Sequence, residues 1–186
     1  MGEKSYHHGD LRRALIEAGL ASLQGGGELS LRALARDVGV SATAVYRHFP
    51  DKDALLAALA EEAYAMLAGD QRAASEAAGG GLAGFGATGA AYVRFALKNP
   101  ALFRLVFAHA RPDGSGNHLD EGDEAMTMLR ANAEAYAPPG CDPQVAALQA
   151  WALVHGLAVL ILDGHVPAND ALIDAVIDAR VLGWQA

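Results

Sequence analysis

A chain of 186 residues can bury one sizeable core, or join a small module to a larger body. It is rich in Ala, Leu and Gly, with few β-branched runs and no strict two-residue alternation, which excludes a sheet-based fold and predicts an all-α protein. The formal net charge of -8 excludes wrapping along nucleic acid but not local docking, because residues 1 to 55 carry seven basic groups (Lys4, Arg12, Arg13, Arg32, Arg36, Arg47, Lys52) against seven acidic ones, and the remainder seven against fifteen.

Asp10 precedes Leu11, Leu15, Ala18 and Leu23 at helical spacing, and three glycines end the run, so the first helix is predicted over about 10 to 24. Ser30 caps a second helix whose Leu31, Leu34, Ala35 and Val38 form one apolar stripe, with Gly39 supplying the left-handed residue at its end. Ser41 caps a third helix predicted through His48, closed by Phe49 and Pro50. Asp51 caps a long fourth helix from Lys52 to about Ala78. Glycines 79 to 81 punctuate the chain. A helix is then predicted from Leu82 to Lys98, breaking at Asn99-Pro100 and resuming from Ala101 to His109. Arg111 to His118 reads as a mobile loop, and later helices fit 119 to 136, 143 to 163 and 170 to 183. The apolar run from Trp151 to Leu162 is interrupted by His155 and Gly156 and reads as too short for a bilayer. Nothing resembles a secretory leader, and Cys141 stands alone, so no intrachain disulfide can form. The expectation is a soluble, cytoplasmic protein.

The strongest local signal runs from Leu34 to Tyr46. Two helices crossing steeply need a small residue at closest approach, a glycine in the turn and apolar groups on both inner faces. Ala35, Gly39, Val38, Val40 and Val45 meet those needs. With Val45 and Phe49 inward, a step of about 100° per residue turns Thr43, Tyr46 and Arg47 outward, as a helix entering a major groove requires. A plain helical bundle with a glycine-ended helix is the alternative that this stretch alone leaves open.

Tyr6-His7-His8-Gly9-Asp10-Leu11-Arg12, Leu31-Arg32-Ala33-Leu34-Ala35, and the segment from Val40 through Tyr46-Arg47-His48-Phe49 to Leu56 resemble the N-terminal module of tetracycline-repressor (TetR) type regulators. In the body, Trp151, His155 and Gly156 resemble the Trp-x-x-x-His-Gly signature of that family's WHG-type C-terminal domain, and Asn99-Pro100-Ala101-Leu102-Phe103 fits the same subgroup. The resemblance implies a helix-turn-helix DNA-binding domain over 1–56, and over 57–186 a helical ligand-binding and dimerisation domain whose last two long helices pair across a four-helix dimer interface. It implies phosphate contacts at Tyr46, His48 and Lys52, base reading at Ala42, Thr43 and Arg47 beside the capping Ser41, and a base or phosphate contact at Arg32. Physical chemistry agrees: Lys52 sits at a helix N-terminus that favours a phosphate. Arg47 has the fork to grip a guanine, and Thr43 or Ala42 the methyl group to touch a thymine. Alanines at 42 and 44 leave direct readout thin, so DNA shape should contribute.

His109, His118, Cys141, His155 and His165 show no paired short spacing, which excludes a recognisable metal site, and the glycine triplets lack the Lys-Ser/Thr of a phosphate loop. No nucleophile has a recognisable elbow. Trp151 and His155, one helical turn apart, are candidates to line a ligand pocket with Tyr92 and Phe103, although a packed core explains them equally well. The apolar faces Val145, Leu148, Ala152 and Leu172, Ala175, Val176, Ala179 would stay exposed unless a twofold partner covered them. The sequence therefore points to a homodimeric regulator, a repressor in most members of such a family, that binds palindromic operator DNA and is released by a small, largely apolar effector, without catalysis, cofactor or metal. A ligand-binding protein that has lost DNA binding, and a small helical enzyme built on acidic groups, are the rivals.

Overall fold

A computed structural model describes residues 8–27, 29–108, 124–180 and 183–185. Tyr6 and His7 of the family-like N-terminal stretch, the loop expected at 111–118 and the first residues of the helix expected from 119 lie outside these. Among the described residues there are nine helices and no strand: α1 (His8–Gln24), α2 (Leu31–Val38), α3 (Ala42–Tyr46), α4 (Lys52–Ala77), α5 (Gly81–Lys98), α6 (Pro100–Ala108), α7 (Glu124–Tyr136), α8 (Pro143–Leu162) and α9 (Asp170–Ile177). The chain forms two compact units, the first holding the residues up to Ala63 together with α6, the second running from Tyr64 to Pro100 and over the described residues from 124 onward.

The first unit is built around Leu15, Leu34, Val45, Phe49, Leu55 and Leu59, all fully buried, and α6 adds Leu105 to the same cluster. Ser30 Oγ accepts from the Ala33 amide at 3.1 Å to start α2. Its end is a Schellman motif: Gly39, at φ 78°, donates to Arg36 O, and the Val40 amide donates to Ala35 O at 2.8 Å. The serine at 41 repeats the device for α3, accepting from the Ala44 amide at 3.2 Å, and Asp51 Oδ1 accepts from the Ala54 amide at 2.8 Å at the start of α4.

Helix α3 is shorter than the periodicity predicts, ending at Tyr46 instead of His48. The amides of His48 and Phe49 both donate to Val45 O at 2.9 Å, and this tightening swings Phe49 into the core, where it is 2 % exposed. At the other side of the molecule's sequence, α4 passes through the boundary between the units without interruption.

In the second unit α5 packs against α7, α8 and α9, and α7 packs against α8. Glycines 79 to 81 all have positive φ, between 61° and 81°, a path that side chains with a Cβ resist. Asp142 accepts from the Gln144 amide, with Pro143 at the first helical position, and Asn169 accepts from the Leu172 amide to start α9. Helix α9 stops at Ile177, short of the expected 183. Asp178 turns extended and its carboxylate takes the Arg180 amide and guanidinium at 2.8–3.0 Å. Past Gly183, at φ 81°, Trp184 drops back into the core, its ring centroid 4.6 Å from that of Phe85, and the Gln185 amide reaches Tyr136 O. A continued helix would have forgone that burial.

Helix α8 departs from the expectation in another way. It runs for 20 residues, as the helix expected over 143 to 163 requires, but where the apolar run was read as too short for a bilayer the whole helix is long and apolar enough, by length and composition, to cross a membrane. Only 28 % of its most apolar window is buried.

Gly39→Ala tests the turn between α2 and α3. A Cβ there meets nothing within 4 Å, so the loss should come from the left-handed backbone alone, about 1–2 kcal/mol in urea unfolding. A loss near zero would show that the turn relaxes to another conformation.

Candidate nucleic-acid interface and ligand cavity

The helix-turn-helix places its two kinds of residue on opposite sides. Val45 is 0 % exposed, while Ser41, Ala42, Thr43 and Arg47 are exposed and Tyr46 is 45 % exposed. His48 is half-buried, and Arg32 and Lys52 are exposed at the first turns of α2 and α4. Seven of these eight residues thus fall within one stretch of twelve, around the turn from α3 into α4, with Arg32 on the preceding helix. The N-terminus of α4 is less open than the sequence suggests, because the Asp51 carboxylate occupies the Ala54 amide. The cation there is the Lys52 side chain. A further cation was missed by the pattern analysis: the Arg12 guanidinium lies over the Phe49 ring, 5.3 Å from its centroid. No sequence spacing connects those two positions; the turn after α3 brings them together.

In the second unit a cavity of about 50 Å³ lies among α4, α5, α7, α8 and α9, walled by Phe85, Met126, Trp151, Ile177 and Trp184. Gly89 makes the wall close: a Cβ there would stand 2.6 Å from Ile177 Cγ2. Tyr92 and Trp151, both expected from the sequence, line it. The Tyr92 hydroxyl pairs with His155 Nδ1 at 2.9 Å and accepts from Trp151 Nε1 at 3.4 Å. Burial pushes the Tyr92 hydroxyl well above its ordinary pKa, with the Trp151 hydrogen bond opposing, and burial also lowers that of His155, so the group stays neutral. His155 is thus a partner of the wall instead of part of it. Phe103 does not line this cavity: it lies in the first unit, 3 % exposed, with its ring 4.9 Å from that of Phe107. For Phe103 the packed-core alternative is the one its surroundings match.

Of this lining only Tyr92 and Trp151 were expected from the sequence; Met126, Trp184 and Gln71 are among the residues that were not. Met126 falls within the helix expected over 119 to 136 without any mark of a pocket residue, and Trp184 lies beyond the predicted last helix. Gln71 sits on α4 where a glutamine ordinarily faces solvent, and nothing in the sequence marks it.

Residues 15–59 match the family model described as bacterial regulatory proteins, tetR family, and residues 85–181, more than half of the chain, match the tetracyclin repressor-like C-terminal domain. These two matches define a DNA-binding regulator with a helical C-terminal domain. The chain belongs to the TetR family. Solved structures agree. A protein with unknown function from Rhodococcus sp. RHA1 is 35% identical, with 96% of this chain and 95% of that one covered at a TM-score of 0.74. A TetR-family transcriptional regulator from Pectobacterium atrosepticum, at 22% identity, shares the fold at a TM-score of 0.65 over 97% of this chain and 94% of its own. Another from Marinobacter aquaeolei VT8, at 17% identity, does so at 0.65 over 94% and 95%.

The depressed pKa of His155 has a consequence for stability. Below the ordinary value of 6.5 the unfolded chain takes up a proton at this position that the folded chain still refuses. Stability should therefore fall as pH drops from 6.5 toward the folded-state value, and His155→Gln should flatten that part of a urea-midpoint profile. An unchanged slope in the variant would assign it to other groups.

Proposed function

We propose that this TetR-family protein is a homodimeric repressor that grips a palindromic operator with its two helix-turn-helix modules and lets go when a small, largely apolar effector enters the cavity of its C-terminal domain. The observation that carries the DNA-reading part is the exposed face of Thr43, Tyr46 and Arg47 opposite the buried Val45 and Phe49. Residues 1–56 are the reading module and 57–186 the effector and dimerisation domain. Tyr46, His48 and Lys52 hold phosphates. Ala42, Thr43 and Arg47 meet base edges beside Ser41, and Arg32 reaches base or backbone. Two such modules address half-sites about 34–36 Å apart. The C-terminal domain is of the WHG type, on the strength of Trp151, His155 and Gly156 inside the matched region, and the protein works in the cytoplasm.

The effector acts through its unequal affinity for the DNA-competent and DNA-released states. Tenfold release needs about 1.4 kcal/mol of coupling. A cavity of about 50 Å³ is small beside the roughly 300–1,000 Å³ of drug-sized sites, so binding must rearrange its walls, which supplies such a difference.

Lys52→Ala should weaken operator and random DNA by similar factors and lower the slope of log affinity against log salt by about one unit. Arg47→Ala should instead lose about 1–3 kcal/mol on the operator alone. Equal losses for Arg47→Ala on both DNAs would move it to the backbone contacts, and undiminished binding by both variants would remove the reading face from this surface.

Dimerisation is supported by α8, whose Val145 and Leu148 are each 49 % exposed and Leu160 44 %, with Ala152 exposed on the same side. On α9, Ala175 is exposed and Leu172 and Val176 are half-buried. Ala179, by contrast, lies past the end of α9 and is buried in its own unit beside Trp184. Leu148→Glu should convert a dimer into a monomer at micromolar concentration in sedimentation velocity. A wild-type monomer there defeats the proposal.

A further inference from the structure

One polar atom of the second unit is left over when its hydrogen bonds are assigned. Among the described residues, Gln71 Oε1 is a buried side-chain oxygen with no protein partner, and Gln71 lines the apolar cavity. The orientation of its amide is fixed, because Nε2 donates to the Thr88 carbonyl oxygen at 3.3 Å. Turning the amide over would set oxygen against oxygen, so the unpartnered atom is an acceptor and not a donor. Neighbouring polar groups are already engaged: Thr88 Oγ1 donates to Phe85 O at 2.7 Å, and the Tyr92 hydroxyl is held between His155 and Trp151. No described residue lining the cavity is charged.

We propose that the effector is an uncharged, mainly apolar molecule carrying a hydroxyl or N–H donor, and that Gln71 Oε1 receives that donor. This rests on the cavity being the effector site. A charged ligand would be buried there without a counter-ion. A ligand with acceptors alone would leave the Gln71 oxygen unmet and add another. Entry of even one ring requires the walls to give, and the unbranched side chains of Met126 and Met128 are suited to that. The hydrogen bond would be made to α4, the helix that begins at Lys52, so the group that recognises the donor belongs to the element that also carries a proposed phosphate contact.

The test uses phenol and toluene, which have nearly the same shape and differ in the donor. The chain has two tryptophans, and both line the cavity, so tryptophan fluorescence of the full-length protein reads its occupancy. Each ring is titrated into the unaltered protein, Gln71→Leu and Gln71→Met, with circular dichroism melts as the control for folding. Both substitutions should weaken phenol relative to toluene by about tenfold, equivalent to about 1.4 kcal/mol. If both rings bind and their ratio is the same in all three proteins, Gln71 is not the acceptor, and the cavity survives as a ligand site. Binding of neither ring to the unaltered protein overturns the cavity as a site for small apolar ligands, and this inference with it. Should the variants fail to fold, anisole supplies the comparison: capping the donor should weaken binding to the unaltered protein about tenfold, and equal or tighter binding overturns the proposal.

Discussion

The reading head depends on Val45 and Phe49. A helix of five residues has no independent stability in water. What holds α3 is the burial of these two side chains, at 0 % and 2 % exposure, against Leu15, Leu34 and Leu55. The buried pair brackets Tyr46, Arg47 and His48, so the residues that face outward are clamped at both ends of their segment. The Schellman turn at Gly39 and the serine cap at 41 then set the angle at which α3 leaves α2. Each of these local devices costs little sequence, and together they leave the exposed positions free to vary without loss of the scaffold.

The second unit follows a different logic. Its helices approach closely because α5 is rich in small residues: Gly84, Gly86, Gly89, Ala90 and Ala96 lie on or near its packed faces. Large aromatic groups are then admitted from outside the helix, Trp151 from α8 and Trp184 from the tail. Small residues on one side and large rings on the other do not tile perfectly, and the cavity is the remainder. Tyr92 and Trp151 in its wall and their partner His155 are satisfied by one another, which keeps the wall neutral while fixing the rings in place.

Much of the first unit was legible because its rules are local. Caps at Ser30, Ser41 and Asp51, the glycine at 39 and the stripe of Leu31, Leu34 and Ala35 each state their role within a few residues of sequence. The errors arise where distant residues decide. Helix α3 ends early because Phe49 must reach a core made partly by α1 and α4. Helix α9 ends early because Trp184 has a place to go beside Phe85, which lies a hundred residues earlier in the chain. Phe103 looked like a pocket residue because an aromatic on an apolar helix has the same signature in a core and in a cavity. Gln71 gave no signal at all, since a single amide on a long helix acquires meaning only when the surface opposite it is known to be apolar.

Helix α8 shows why composition alone misleads in the opposite direction. Its apolarity would suit a bilayer, yet its exposure is one-sided: Ala146, Ala147, Leu157, Ala158 and Ile161 are buried in the unit, while Val145, Leu148, Ala152 and Leu160 are not. A helix spanning lipid as a lone element would need apolar groups all round its circumference, and the outward side of α8 also carries Gln144 and Gln149. A stripe of apolar groups edged by amides is instead what a protein partner covers, with the polar residues at the rim. In the proposed dimer the same stripe on a second copy would be self-complementary under a twofold axis, so that one helix face serves both halves of the interface.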